Sequence, residues 1–337
     1  MSSPAVSVLL PVRDAAATVV QAAQCILRQS LADLELVVVD DGSSDGTREL
    51  LRLLAHGDRR VRLTETPARG IVAALRTAAR RASAPYLARM DADDRCHPRR
   101  LERQLAWLRR RPEIGAVGSL VRSFSSSPVP EGWQRYEQWL NSRRTSAQIH
   151  RDLFVESPLA HPSVTMRGSA YREVGGYRDL DGPEDYDLWL RMARAGWRLA
   201  KVPAVLFEWR DRTDRLTRRD PRYRPEAFVR LKAHHLAQGP LASDPRPTWI
   251  WGAGRYGRQL CRALEAEGAR VDAFIDIDPR KIGGRRRGLP VLARSALSSH
   301  PDVAVLVAVP VPGARTLIRR QLTRVGYVEC RDYWCCA

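Results

Sequence analysis

Five apolar, strand-like runs alternate with four helix-like segments over the first 120 residues, and this alternation commits the chain to an α/β sheet. The runs are Val6–Pro11, Leu34–Asp40, Val61–Glu65, Tyr86–Met90 and Gly115–Val121. Apolar residues at helical spacing predict helices over Ala16–Arg28, Thr47–Ala55, Ile71–Ala82 and Pro98–Arg110. Carboxylates gather where the second and fourth runs end, in Val39-Asp40-Asp41-Gly42 and Met90-Asp91-Ala92-Asp93-Asp94. In open α/β sheets the carboxyl ends of the strands face the ligand crevice. Acid there needs a chemical reason.

Residues two apart on an extended chain point the same way, which places Asp91 and Asp93 together, roughly 6–7 Å apart along the backbone. Such a pair repels itself unless a cation lies between, and Mg²⁺ or Mn²⁺ suits carboxylate oxygens. An isolated D-x-D is more often a solvated acidic turn, so its neighbours decide the matter. Asp41 is placed to accept hydrogen bonds from a base or ribose, whereas Ser44 and Asp45 suit capping of the next helix.

At 337 residues the chain is long enough for two cores. A Gly-, Pro-, Ala- and Ser-rich stretch, 238–247, reads as a linker between a first domain, 1–237, and a second, 248–337. Within the first, Pro183 opens a helix that runs to Arg194. Residues 122–160 show no sheet pattern, although Trp133–Leu140 has helical character. In the second, strands at Trp249–Trp251, Val271–Asp276 and Val303–Val309 alternate with helices at Gly254–Glu267 and Arg315–Val325.

The net charge of +18 raises the question of nucleic acid. Only Lys201, Lys232 and Lys281 are lysine among 56 basic residues, and the arginines are scattered without a basic tail or aromatic interleaving. No specific nucleic-acid partner is expected; a basic surface also suits anionic substrates or peripheral contact with an anionic membrane. The six cysteines have no metal-ligand spacing, and Met1-Ser2-Ser3 leads into the first strand without a signal peptide. No apolar run reaches bilayer length. The expected setting is cytoplasmic.

Five ordered segments resemble the family 2 glycosyltransferases of GT-A fold: Val8-Leu9-Leu10-Pro11-Val12-Arg13-Asp14, Val39–Thr47, Ala88–Asp94, Ser157-Pro158-Leu159-Ala160-His161-Pro162-Ser163, and Gly182-Pro183-Glu184-Asp185-Tyr186-Asp187-Leu188-Trp189. Together they span roughly residues 5–215. The resemblance implies a nucleotide-sugar donor, a glycan or lipid-linked hydroxyl acceptor, and one displacement with inversion at the anomeric carbon. It implies that Pro11 and Arg13 line the nucleotide pocket and that Asp41 reads the base. Asp91 and Asp93 would face the metal and diphosphate, with Asp93 the direct ligand and Asp94 structural. Asp185 would be the general base, kept ionised by the helix N-terminus. The chain departs from the family pattern at Arg13-Asp14, where Tyr-Asn is common, and at Arg76, where an Asn is common. Arg69 and Arg89 read as surface or structural residues, and His161 reads equally as an acceptor contact or a packed side chain.

In the second domain, Gly252-Ala253-Gly254-Arg255-Tyr256-Gly257 lies between a strand and a helix, with Asp276 at the end of the next strand. This is the context of a nucleotide-phosphate loop. The unit resembles small Rossmann-like domains attached to sugar-modifying enzymes, and its expected role is accessory nucleotide binding at Gly252, Gly254, Gly257 and Asp276, or dimerisation. The competing readings for the whole chain are a non-catalytic nucleotide-sugar sensor, a nucleic-acid binder and an oxidoreductase.

Overall fold

The computed structural model describes residues 3–125, 128–212 and 215–337. Residues 1–2 of the segment searched for a signal peptide, and 126–127 of the 122–160 stretch, lie outside the described residues. By its contacts the chain divides into two units. One comprises Met1–His150, Pro158–Leu180 and Glu184–Arg219, the other Arg151–Ser157, Asp181–Pro183 and Asp220–Ala337.

The first unit carries strands β1 (Val6–Val12), β2 (Leu34–Asp41), β3 (Val61–Thr66), β4 (Tyr86–Arg89), β5 (Arg95–Cys96), β6 (Ile114–Phe124), β7 (Thr165–Arg167) and β8 (Arg198–Arg210). Its helices are α1 (Val19–Leu27), α2 (Thr47–Gly57), α3 (Ile71–Arg81), α4 (Arg100–Arg110), α5 (Glu131–Ser142), α6 (Ser146–Arg151), α7 (Gly168–Glu173), α8 (Glu184–Arg194) and α9 (Leu216–Arg219). The strands form one sheet in the order β3-β2-β1-β4-β7-β6-β8-β5. β1, β2, β3 and β4 are mutually parallel, and β7 runs antiparallel to both β4 and β6. Every residue of β1 and β2 is buried, as a parallel sheet covered on both faces requires. That is why these two strands read as unbroken apolar runs.

β8, the longest strand, has no counterpart in the sequence reading. It pairs with β6 in parallel, but the register moves from Ser119–Val202 to Leu120–Val205, leaving Pro203 and Ala204 in a bulge. A proline lacks the ladder donor and is tolerated at such a break; on the page it reads as a stop. Just before the bulge, Lys201 is fully buried and its Nζ donates to the Leu140 carbonyl near the end of α5 at 2.5 Å. Burial, with Arg143 adding to it, lowers the Lys201 pKa to about 7. Between that value and the ordinary 10.5, the unfolded chain binds more protons than the folded one, so Lys201 makes stability rise with pH across that window. Thermal midpoints measured from pH 7 to 10 are expected to climb less in Lys201→Met than in wild type; parallel curves would acquit Lys201.

The second unit contains α10 (Pro225–Ala237), β9 (Thr248–Trp251), α11 (Arg255–Ala266), β10 (Ala273–Asp276), β11 (Arg285–Arg286), β12 (Leu289–Ala293), α12 (Ala296–Ser299), β13 (Ala304–Val307), α13 (Ala314–Arg324) and β14 (Tyr333–Cys335). The sheet order is β11-β12-β10-β9-β13-β14, parallel except for the β11–β12 pair. Val229, Ala233 and Leu236 of α10 share a core with Leu260 and Leu264 of α11. For that reason α10 groups with this unit, and residues 238–247 lie inside it instead of ahead of it.

Candidate active site

Because β1, β2 and β4 are parallel neighbours, their carboxyl ends open on one edge. Pro11 is buried within β1, and Arg13 is exposed just beyond it, its Nε 3.7 Å from Asp14 Oδ2. Asp14 adopts φ 47°, a left-handed conformation that Asp tolerates better than most residues. Its Oδ1 accepts the Ser44 N–H at 2.8 Å, while its own N–H donates to Ser43 Oγ at 3.0 Å. Ala15 N–H donates to Thr47 Oγ1 at 2.8 Å and Ala16 N–H to Asp45 Oδ2 at 3.0 Å. These bonds tie the β1–α1 turn to the β2–α2 turn and delay the start of α1 to Val19. They also redirect the two residues expected to cap α2. Asp45 Oδ1 does accept the Thr47 N–H at 3.1 Å, but the N-cap position belongs to Gly46, with φ 87°, and Ser44 is spent on Asp14.

Asp41, 3% exposed at the end of β2, accepts the N–H groups of Arg69 and Gly70 on separate oxygens, both at 2.8 Å. It therefore fixes the turn into α3. Each carboxylate oxygen keeps a further lone pair for a ligand donor.

β4 ends at Arg89, and Asp91–Asp94 form a turn in which Asp94 N–H reaches the Asp91 carbonyl at 3.4 Å. Strand alternation is therefore not what brings Asp91 and Asp93 together; the turn is. The turn also recruits Asp94, so that one oxygen from each of the three carboxylates lies within 4.8 Å of the others. Asp94 does serve a structural purpose, since its Oδ1 accepts the Arg210 N–H at 2.7 Å. Its Oδ2, however, is buried and has no partner. Burial first, then Asp91 and Asp93, push the Asp94 pKa well above the usual carboxylate range. Burial and Asp91 raise that of Asp93 as well, against the pull of Arg215 and Arg212. Arg212 Nη1 stands 3.7 Å from Asp93 Oδ2. Three hard oxygen donors gathered this closely, one of them unpartnered, fit a divalent cation such as Mg²⁺ or Mn²⁺.

Arg89 is 2% exposed, and its Nη2 donates to Asp91 Oδ1 at 2.6 Å. His161 is also buried. Its Nε2 shares a 2.7 Å hydrogen bond with Tyr177 Oη, and its Nδ1 is 3.7 Å from Glu184 Oε1. Burial, reinforced by Arg89, holds the His161 pKa well below its ordinary value, so the imidazole is neutral at pH 7. Glu184 and Asp185 are the first two residues of α8, where the helix N-terminus favours carboxylate charge. Tyr177 and Arg210 escaped the sequence reading, and Arg89 was read there only as a surface or structural residue. The one available signal was an arginine inside the apolar run Tyr86-Leu87-Ala88-Arg89-Met90.

In the second unit the glycine loop joins β9 to α11. Gly252 has φ 119°, and a Cβ there would stand 2.8 Å from the Ala308 carbonyl oxygen; a Cβ on Gly257 would fall 1.8 Å from the Gly252 oxygen. At Gly254 a Cβ would meet nothing within 4 Å. Asp276 is already engaged: Oδ2 accepts Ala253 N–H and Lys281 Nζ, each at 3.0 Å, and Oδ1 accepts Ile277 and Asp278 N–H groups at 2.9 and 3.0 Å. Gly257→Ala is expected to cost about 1–3 kcal/mol or more through backbone overlap. Gly254→Ala should cost about 1 kcal/mol or less. Urea unfolding followed by tryptophan fluorescence separates the two, and equal losses would refute this account of the loop.

The family described as Glycosyl transferase family 2 matches residues 7–175. The putative glycosyltransferase EpsE of Bacillus subtilis (strain 168) is 32% identical over 227 residues, which cover 66% of this chain and 78% of that protein. Among solved structures, the mannosyltransferase PcManGT from Pyrobaculum calidifontis in complex with GDP-Man and Mn²⁺ superposes with a TM-score of 0.52 at 24% identity, covering 71% of this chain and 63% of that one. S. aureus TarS 1–349 in complex with UDP-GlcNAc gives 0.54 at 15% identity, covering 77% and 71%. At these identities the structures speak for the fold, which is GT-A. With the family matched from β1 through α7 and the acidic turn standing at the ligand edge of that fold, the chain belongs to glycosyl transferase family 2.

Proposed function

We propose that the protein is an inverting transferase that moves a sugar from a nucleotide-sugar donor to a hydroxyl acceptor, in assembly of a bacterial glycan or lipid-linked oligosaccharide. The observation that supports it most is the convergence of Asp91, Asp93 and Asp94 beside the ends of β1 and β2. In this reading Pro11 and Arg13 line the nucleotide pocket and Asp41 accepts from the base. Asp93 would be the direct ligand of the divalent cation, with Asp91 a supporting contact to the donor. A cation bound there supplies positive charge to the departing diphosphate. Asp185 takes the proton of the acceptor hydroxyl as that oxygen bonds to the anomeric carbon. The bond to the diphosphate breaks on the opposite face, so the configuration inverts and no enzymic nucleophile is needed.

The glycine loop supports a second, accessory nucleotide site, because Gly254 leaves the start of α11 open to a phosphate. Among the described residues no helix is long and apolar enough to cross a membrane. A cytoplasmic protein in peripheral contact with an anionic inner membrane face suits the +18 charge.

A thermal-shift screen of UDP-, GDP- and dTDP-sugars with and without Mn²⁺ tests both sites. The donor reading requires stabilisation that depends on Mn²⁺ and is lost in Asp93→Ala. The accessory reading requires stabilisation that is independent of Mn²⁺ and is lost in Gly254→Val. Silence from every ligand would refute both.

A further inference from the structure

We propose that Arg89 is a positioning residue that divides the acidic turn, holding Asp91 in an ion pair so that Asp93 and Asp94 are left to bind the divalent cation. The proposal rests on the donor-site reading above and assigns work inside that site.

A guanidinium buried at the end of a strand is costly unless it is paired. Leu87, Ala88 and Met90 around Arg89 are buried apolar residues, and an apolar side chain would serve the packing of β4 at less cost. Nor are the guanidinium's hydrogen bonds complete. Nη2 meets Asp91, Nη1 donates to the Met90 carbonyl, and Nε is buried without a partner. Its direction is set by Asp91, not by a saturated structural network.

The backbone beneath it is held at both ends. Arg89 N–H donates to the Val164 carbonyl at 2.8 Å, and the Arg89 carbonyl accepts from Arg100 Nη2 at 2.6 Å. The guanidinium is thus presented from a fixed point on the sheet. Of the three carboxylates, the Arg89 guanidinium claims one, Asp91. Asp94 retains a buried oxygen with no partner, and the Asp93 side chain stays 25% exposed with Arg212 no nearer than 3.7 Å. On its other side Arg89 acts electrostatically on Tyr177 and Glu184 and adds to the burial that keeps His161 neutral. The same positive charge therefore stands between the acidic turn and the helix that carries Asp185.

Isothermal titration of metal-stripped full-length protein with Mn²⁺ alone tests the division, with steady-state turnover measured in parallel. Arg89→Met releases the Asp91 carboxylate into the site, so Mn²⁺ is expected to bind about tenfold tighter. Turnover is expected to fall about 10²-fold because the acids no longer hold their positions. Arg89→Lys should return Mn²⁺ affinity to near the wild-type value and recover part of kcat. Tighter metal with poorer turnover is a signature that loose packing does not produce. Should Arg89→Met fail to fold, Asp91→Asn is expected to keep near-wild-type Mn²⁺ affinity while Asp93→Asn and Asp94→Asn lose it. Unchanged or weaker Mn²⁺ binding in folded Arg89→Met, or equal losses in all three Asn variants, overturns the proposal alone. Wild-type protein that binds no Mn²⁺ removes the donor-site reading with it.

Discussion

Asp185→Asn lowers kcat by about 10²–10⁴-fold, the usual contribution of a positioned base, while the thermal midpoint and the donor KM stay near wild type. The exchange preserves size and hydrogen-bonding reach and removes only the capacity to accept a proton. Asp185 sits in the first turn of α8, where the helix N-terminus stabilises a carboxylate and tolerates an amide. The fold therefore has little reason to notice the change. Glu184, its neighbour, is 3% exposed and turned toward His161, so it does not offer an equivalent base to solvent. The assay is release of nucleoside diphosphate with donor and acceptor present. Turnover that survives Asp185→Asn intact would eliminate Asp185 as the base.

Asp93→Ala carries the second large effect, and it has opposite signs on activity and stability. Loss of the ligand should reduce kcat/KM by about 10²–10³-fold, since several kcal/mol of leaving-group stabilisation depend on the cation it holds. The metal-free protein should nevertheless become more stable at neutral pH. The Asp93 pKa is raised by burial and Asp91, and the Asp94 pKa by burial, Asp91 and Asp93. A carboxyl whose pKa is higher in the folded state favours folding when protonated, and that advantage is lost as pH rises through the folded value. Removing Asp93 relieves part of the repulsion on Asp94. Thermal melts in EDTA at pH 5 and pH 7.5 check the sign: the gain should be larger at pH 7.5. A variant less stable than wild type at both pH values would contradict the description of the turn as self-repelling.

How far the sequence disclosed this arrangement depended on what kind of interaction held each part. β1 and β2 were legible because burial on both faces writes itself as a continuous apolar run. The glycine loop was legible because Gly252 and Gly257 have no room for a Cβ. β8 was hidden by Pro203, which marks a bulge and not an end. The approach of Asp91 to Asp93 was anticipated, but the cause was a turn, and for that reason Asp94 was left out of the cluster. Arg89 was concealed by composition. In a chain this rich in arginine, its place in the apolar run Tyr86–Met90 was the only local mark separating a buried guanidinium aimed at a carboxylate from a solvated one. Asp276 shows the converse case: its position at the end of β10 was evident, while its engagement by Lys281 and three backbone N–H groups became visible only in three dimensions.

The hydrogen bonds that join the β1–α1 turn to the β2–α2 turn carry a consequence for affinity. Most ligand crevices are built from loops, and a ligand that must order a loop loses part of its contact free energy to the entropy of doing so. Here Asp14, Ser43, Ser44, Asp45 and Thr47 have already fastened two loops to each other before any ligand arrives. A ligand reaching this edge meets backbone that has no ordering left to do, and its contacts there register almost undiminished as affinity.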